Sequence, residues 1–200
     1  LRVYADVMLA PATAPHFERI SALIRQGARE HAFEPALAEA SAESDLFFAN
    51  LRQALTVGTF VEEQQGALVR RATAGYVYLQ EPPTLGPPPT SPLGFGLFKA
   101  FANWGYELWL MGVDVSARGR RYGRAMLEQL LETPAGRMAY TVRVRRDGGS
   151  ADRMDRLLLT HGYTVARESP ASRWYLRADA PQDLARLMRS VPIGGRSESR

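Results

Sequence analysis

Met111-Gly112-Val113-Asp114-Val115-Ser116-Ala117-Arg118-Gly119-Arg120-Arg121-Tyr122-Gly123-Arg124-Ala125-Met126-Leu127 is the stretch that decides how this chain reads. An apolar run ends, a turn rich in glycine and arginine follows, and an amphipathic stretch begins. The apolar run predicts a strand over residues 106–115. Glu107, Trp109, Met111 and Val113 fall on one face and Leu108, Leu110 and Gly112 on the other, and both faces are mostly apolar, as in a central strand covered on both sides. Met126, Leu127, Leu130 and Leu131 form a helical stripe, so a helix is expected over residues 121–132. A helix that opens directly from such a turn presents backbone N–H groups with no partner inside the helix, and they carry partial positive charge. A diphosphate is a natural guest there. Gly119 and Gly123 keep side chains out of its way, and the arginines add charge-assisted hydrogen bonds.

Two other phosphate-binding layouts are absent. No Gly-x-x-x-x-Gly-Lys-Ser/Thr run occurs, and the dinucleotide fingerprint Gly-x-Gly-x-x-Gly is missing.

Working outward, residues 2–9 suggest a first strand. Phe17, Ile20, Leu23 and Ile24 predict a helix over residues 14–29, and a second helical region spans residues 35–55, with an interruption at 41–45. Residues 59–63 and 67–79 read as a hairpin, with Gly75 hinting at a bulge or a close backbone approach. The proline-rich run 81–92 is expected to be a rigid loop, and residues 93–104 a loop or short helix over a substrate groove. Further on come a strand at 138–144, a helix at 152–160 closed by His161-Gly162, strands at 163–167 and 172–177, and a short helix at 183–188. The polar run 194–200 is expected to be disordered.

Composition narrows the chemistry. The chain has 200 residues, enough for one sizeable core, and a net charge of +4. Lys99 is its only lysine. With no cysteine, disulfides, a thiol nucleophile and cysteine-based metal sites are excluded. His16, His31 and His161 lack ligand-like spacing, so no metal is expected. The basic clusters Arg118/Arg120/Arg121/Arg124 and Arg143/Arg145/Arg146 come without a docking element or stacking platform for nucleic acid; the first suits a phosphorylated small molecule. No run is long and apolar enough for a membrane span, and the opening residues lack a secretory layout; a cytoplasmic protein is expected.

The segment from Arg118 resembles the signature of the GCN5-related N-acetyltransferases (GNATs): Arg or Gln, two residues, Gly, one residue, then Gly or Ala, directly after a central strand. Arg118 matches the first position and Gly123 the last, while Arg121 stands where that family usually has glycine. The order of elements over residues 1–177 is similar too, and Gly162-Tyr163 resembles the family's frequent Gly-Phe. The resemblance implies an α/β (α+β) fold, with a central mixed, mostly antiparallel sheet of about seven strands flanked by helices. It implies one domain over residues 1–178, followed by a short helix and tail over 179–200.

It also implies acetyl-coenzyme A, or another acyl-coenzyme A, as co-substrate, held by Val113, Asp114, Val115, Arg118, Gly119, Arg120, Arg121, Tyr122, Gly123 and Arg124. The central strand would splay from its neighbour, with the pantetheine arm in the gap against the backbone of Val113 and Val115. The partner would be an amine, on a small molecule or a peptide, attacked directly in a ternary complex by a monomer or homodimer. Glu107 stands where many members carry a glutamate and is the candidate base; burial on an apolar strand raises a carboxylate's proton affinity. Many members carry a tyrosine four residues before the glycine, but here that residue is Leu158. Tyr175, Tyr140 and His161 are expected nearby, and Tyr175 is the candidate acid. A chain with this fold that binds acyl-coenzyme A without catalysis is the alternative.

Overall fold

The computed structural model describes residues 7–64, 66–80, 91–101, 103–148 and 151–190. The chain begins with β1 (Val7–Pro11), a 3-10 turn (Ala14–His16) and α1 (Phe17–Arg29). A second 3-10 turn (Pro35–Leu37) precedes α2 (Ala42–Val57), whose start is fixed by Ser41 accepting from the Ser44 backbone N–H at 3.1 Å. That cap is the interruption expected in the second helical region. Next come β2 (Thr59–Gln64), β3 (Ala67–Gln80), β4 (Gly94–Ala100) and β5 (Tyr106–Val113). Then follow α3 (Tyr122–Glu132), the one-turn α4 (Pro134–Arg137), β6 (Ala139–Arg145) and α5 (Ala151–Thr160). β7 (Tyr163–Glu168), β8 (Ser172–Arg177) and α6 (Gln182–Ser190) complete the order. The expectations for residues 2–6, 81–90 and 194–200 lie outside the described residues. None of the described helices is long and apolar enough to cross a membrane.

The strands form one eight-stranded sheet in the order β1-β3-β4-β5-β6-β8-β7, with β2 also pairing β3. Every pairing is antiparallel except β5 with β6. On one face, Phe17, Ile20 and Ile24 of α1 and Phe48, Leu51 and Leu55 of α2 pack with Phe95, Leu97 and Leu110. On the other, Met126, Leu127 and Leu130 of α3 and Leu158 of α5 pack with Phe98, Leu108 and Tyr175. Leu184 and Met188 of α6 cover Leu176, whose register partner Thr141 is paired in turn with Glu107. Register partners share a face, so α6 lies on the same side as α1 and α2.

Two sequence expectations are corrected. Residues 94–100 form a strand, not a loop or helix, because these glycines serve packing: a Cβ at Gly96 would stand 2.4 Å from Leu130 Cδ1. Without side chains there, α3 settles directly on the sheet. The even alternation expected along β5 also fails. Leu97 pairs with Leu110 but Phe98 pairs with Leu108, leaving Trp109 as an extra residue. Leu108 therefore joins the α3 side, Trp109 and Leu110 both join the α1/α2 side, and Met111 and Val113 return to the α3 side. Such a bulge bends the strand and sharpens its twist.

Candidate functional site

The bend in β5 opens the sheet. β5 and β6 pair only through Tyr106↔Ala139, Glu107↔Thr141 and Leu108↔Val142. Beyond Leu108, β5 stays with β4 as far as Val113, while β6 follows β8 to Arg145. The edge of β5 from Trp109 to Val113 thus has no strand partner on its β6 side among the described residues. A small cavity of about 80 Å³ sits where the strands part, between Leu108 and Trp109 on one side and Val142 and Arg143 on the other. It shares Ala32, Phe33, Met111 and Met154 with a larger cavity of about 780 Å³ that reaches the glycine–arginine turn. That volume lies in the range of small-molecule sites, roughly 300–1,000 Å³.

The turn is held from behind. Asp114 accepts hydrogen bonds from the Ser116 backbone N–H at 2.7 Å and from the Ser116 hydroxyl, and pairs with Arg19 at 2.5 Å. These donors, Ser116 first and then Arg19, hold the Asp114 carboxyl below its ordinary range against the opposing effect of desolvation. Arg19 Nε also donates to the Pro92 carbonyl at 3.1 Å, so the turn is tied to the segment before β4.

The front of the turn is open. Gly119 has φ +81°, and Arg121 occupies the left-handed region at φ +64°. Arg121 is also the N-cap of α3, with no side-chain cap, and no acidic residue lies in the first helical turn. The contrast with Ser41 at α2 is direct: here the first N–H groups are left for something other than a cap. Val113, Arg118, Gly119, Arg121, Tyr122, Gly123 and Arg124 line the larger cavity; Asp114, Val115 and Arg120 do not. Val115 lies past the strand in a 3-10 turn, and Asp114 is committed to the back of the loop. Of the two residues expected along the gap, only Val113 lies in the strand.

Glu107 projects toward the α1/α2 side and is 6% exposed. Burial raises its proton affinity, opposed by the nearby charges of Lys99 and Arg143 and reinforced by Glu62. Lys99 is its cross-strand partner; its ammonium bonds Glu62 at 2.6 Å and lies 5.0 Å from the Trp109 ring centroid. Arg71 also bonds Glu62, at 3.0 Å, and together with Lys99 holds that carboxyl below its ordinary range, although burial works the other way.

Solved structures with this architecture were found at low sequence identity. An acetyltransferase of the GNAT family from Staphylococcus aureus Mu50 matches with a TM-score of 0.56 at 11% identity, covering 86% of this chain and 98% of that one. An acetyltransferase from Thermus thermophilus matches at 0.53 and 18% identity, covering 86% and 96%. PaiA N-acetyltransferase from Thermoplasma acidophilum, in complex with coenzyme A, matches at 0.53 and 11% identity, covering 86% and 98%. The fold is that of the GNAT acetyltransferases. No family model matches the chain, and no curated protein does.

Within this GNAT fold, the helix after β6 keeps Leu158, at the family's tyrosine position, out of the larger cavity. Leu158 is fully buried, and α5 presents Arg153, Met154 and Leu157 to the larger cavity instead. Tyr175, the candidate acid, lines neither cavity. Its place on β8 turns the ring into the core beneath α5, where it is fully buried. The hydroxyl neighbours the Asp155–Arg173 ion pair, and burial together with Asp155 pushes its pKa up to about 12. Tyr175 is thus placed for packing. Tyr163, in the Gly-Phe position, is a core residue donating to the Ala139 carbonyl at 2.6 Å. His161 Nδ1 lies 2.8 Å from the Leu157 carbonyl at the end of α5.

The sequence reading did not single out Phe33, Lys99, Thr141, Arg153 or Met154 for the site. Only Lys99 carried a signal, as the sole lysine.

Proposed function

We propose that this chain acylates an amine, using an acyl-coenzyme A as donor. The observation that carries the reading is the gap that opens between β5 and β6 beyond Leu108 and leads to an uncapped, arginine-ringed helix start, with Glu107 in the last paired stretch before it and, like Tyr175, lining neither cavity. The unpaired edge ending at Val113 suits the amide groups of a pantetheine arm. The N–H groups opening α3, with Gly119, Gly123 and the side chains of Arg118, Arg121 and Arg124, suit a diphosphate. The donor chemistry of the residues present therefore fits the co-substrate.

The reaction is a direct attack. The amine nitrogen forms a bond to the thioester carbonyl carbon, the carbon–sulfur bond breaks, and the thiolate leaves with the electron pair. Glu107 receives the proton that the amine must lose, directly or through water. Its burial raises its proton affinity above that of an ordinary carboxylate, which suits it to accept that proton. No side chain is assigned to protonate the thiolate; positioning both substrates in the gap supplies the remainder of the rate.

A second reading, a module that binds acyl-coenzyme A without chemistry, draws on the lack of a proton donor on the part of α5 that faces the cavity. Calorimetric titration with acetyl-coenzyme A, coupled to thiol release across a panel of amines, separates the two. Binding with turnover supports the enzyme, binding without turnover supports the module, and no binding at millimolar ligand sinks both.

A further inference from the structure

The two cavities adjoin at one aromatic ring, and that ring bears on the acyl group the donor can carry; the inference rests on the acyl-coenzyme A reading. Phe33 lines both cavities. It comes from the segment between α1 and α2, and on that side of the sheet its ring lies 6.1 Å from the Phe95 ring, centroid to centroid. Met154 of α5 lines both cavities too, from the opposite side of the sheet. The larger cavity therefore meets the smaller one between Phe33 and Met154.

The ring is built into place. A Cβ at Gly27 would stand 2.5 Å from its Cδ2 and Cε2, and a Cβ at Gly112 would stand 3.5 Å from its Cζ. It thus fills space that two glycines leave open, one on α1 and one on β5. The N–H groups of Ala32 and Phe33 both donate to the Gly27 carbonyl, at 2.8 and 3.3 Å. Glu30 pairs with Arg118 on the turn after β5, and Glu34 pairs with Arg145 at the end of β6, at 2.9 Å. The segment carrying Phe33 is therefore tied to both sides of the gap.

An acyl-coenzyme A with its diphosphate at the start of α3 and its arm along the edge of β5 would bring its acyl end to the closed end of the gap, at Leu108 and Val142. The smaller cavity lies there, and Leu108, Trp109 and Val142 complete its apolar wall. Its volume is about 80 Å³. A water-sized group takes roughly 30 Å³, so this space holds about two or three non-hydrogen atoms. An acetyl group fills it and a butyryl group overfills it. Close-packed walls do not admit extra methylenes without strain.

We propose that Phe33 sets acyl length in this chain: the smaller cavity receives the acyl group, accepts acetyl, and is shut to butyryl and longer chains by the Phe33 ring.

The test is calorimetric and needs no acceptor. Free coenzyme A and its acetyl, butyryl and hexanoyl thioesters are titrated into the parent, Phe33→Ala and Phe33→Leu, and each thioester's affinity is scaled to that of free coenzyme A. In the parent the butyryl and hexanoyl forms should bind about fivefold or more weakly than the acetyl form, the scale of overpacking. In Phe33→Ala the order should reverse, since each methylene then buried is worth roughly fourfold in affinity. Phe33→Leu should fall between, and it decides alone if Phe33→Ala shows no cooperative melting. A parent that binds the hexanoyl form as tightly as the acetyl form overturns the assignment. So does a Phe33 variant that weakens free coenzyme A and all three thioesters alike, the mark of a purely structural ring. A parent preference for succinyl-coenzyme A over the acetyl form would make charge at Arg143, which also lines the smaller cavity, the criterion, and overturns it as well. If free coenzyme A binds and chain length has no effect, the acyl assignment fails while the co-substrate site stands. If no form binds, the function proposed above fails and this inference with it.

Discussion

Arg118 Nη1 and Glu30 Oε2 meet at 2.6 Å across the mouth of the larger cavity. The carboxylate that follows α1 thus occupies a guanidinium facing the turn where a diphosphate would bind. Both residues line the cavity and both are substantially exposed, so the pair is cheap to break. Glu30→Gln should tighten coenzyme A binding about two- to fivefold, the scale of an exposed ion pair. Pantetheine, which lacks the diphosphate, should bind parent and variant alike. Calorimetry with both ligands checks this; equal gains for both would move the effect away from Arg118.

Arg121 bears a backbone cost that glycine would not. At φ +64° a side chain is disfavoured by roughly 1–2 kcal/mol. Arg121→Gly should therefore melt higher than Arg121→Ala, by about 2–4 °C for each kcal/mol relieved. Both variants lose the cation and should bind coenzyme A more weakly than the parent. Thermal denaturation alongside calorimetry separates strain from charge; identical melting of the two variants would contradict the strain.

Two glycines should fail in opposite ways. A Cβ at Gly123 would meet only Val113 Cγ2, at 3.8 Å, so Gly123→Ala should fold normally. Gly123→Val should fold as well but crowd the diphosphate, lowering coenzyme A affinity more than stability. Gly96→Ala should destabilise by about 1–3 kcal/mol through its clash with Leu130. Denaturant titration and ligand titration of the three variants give the comparison.

Glu107→Gln should cost turnover about 10²- to 10⁴-fold, the range for a general base, with coenzyme A affinity nearly unchanged. Its pH dependence has a defined sign. Burial raises the Glu107 pKa above the ordinary 4.5, so the folded chain holds this proton more tightly than the unfolded chain does. The resulting stability is fully present below pH 4.5 and is lost as pH rises through the folded value. Glutamine never ionises, so the variant's melting temperature should gain on the parent's as pH rises. In activity, the parent's acidic limb should lie above the usual carboxylate range and disappear in the variant. A simple structural carboxylate would instead lower melting temperature and all activities together.

The turn from Arg118 to Gly123 was legible because the order glycine, arginine, amphipathic stripe is a local property of the chain. The helices and most strands were legible for the same reason: apolar period, capping serine and breaker residues act over a few neighbours. The segment at 94–100 was misread, since glycines that admit Leu130 look the same in sequence as glycines that make a loop.

By itself, then, the sequence determined the order of elements, the glycine- and arginine-rich turn before α3 and the presence of a carboxylate on the central strand. Tertiary structure decided which side of the sheet each residue of that strand serves, because the extra residue Trp109 is defined only by pairing with β4. It decided that Tyr175 turns into the core and that Met154 and Leu157, not Leu158, face the cavity. It also decided that Glu107 stands beside Thr141 just before the strands part. Each of these depends on register between segments distant in sequence, and register is fixed by packing across the sheet, which no local propensity encodes.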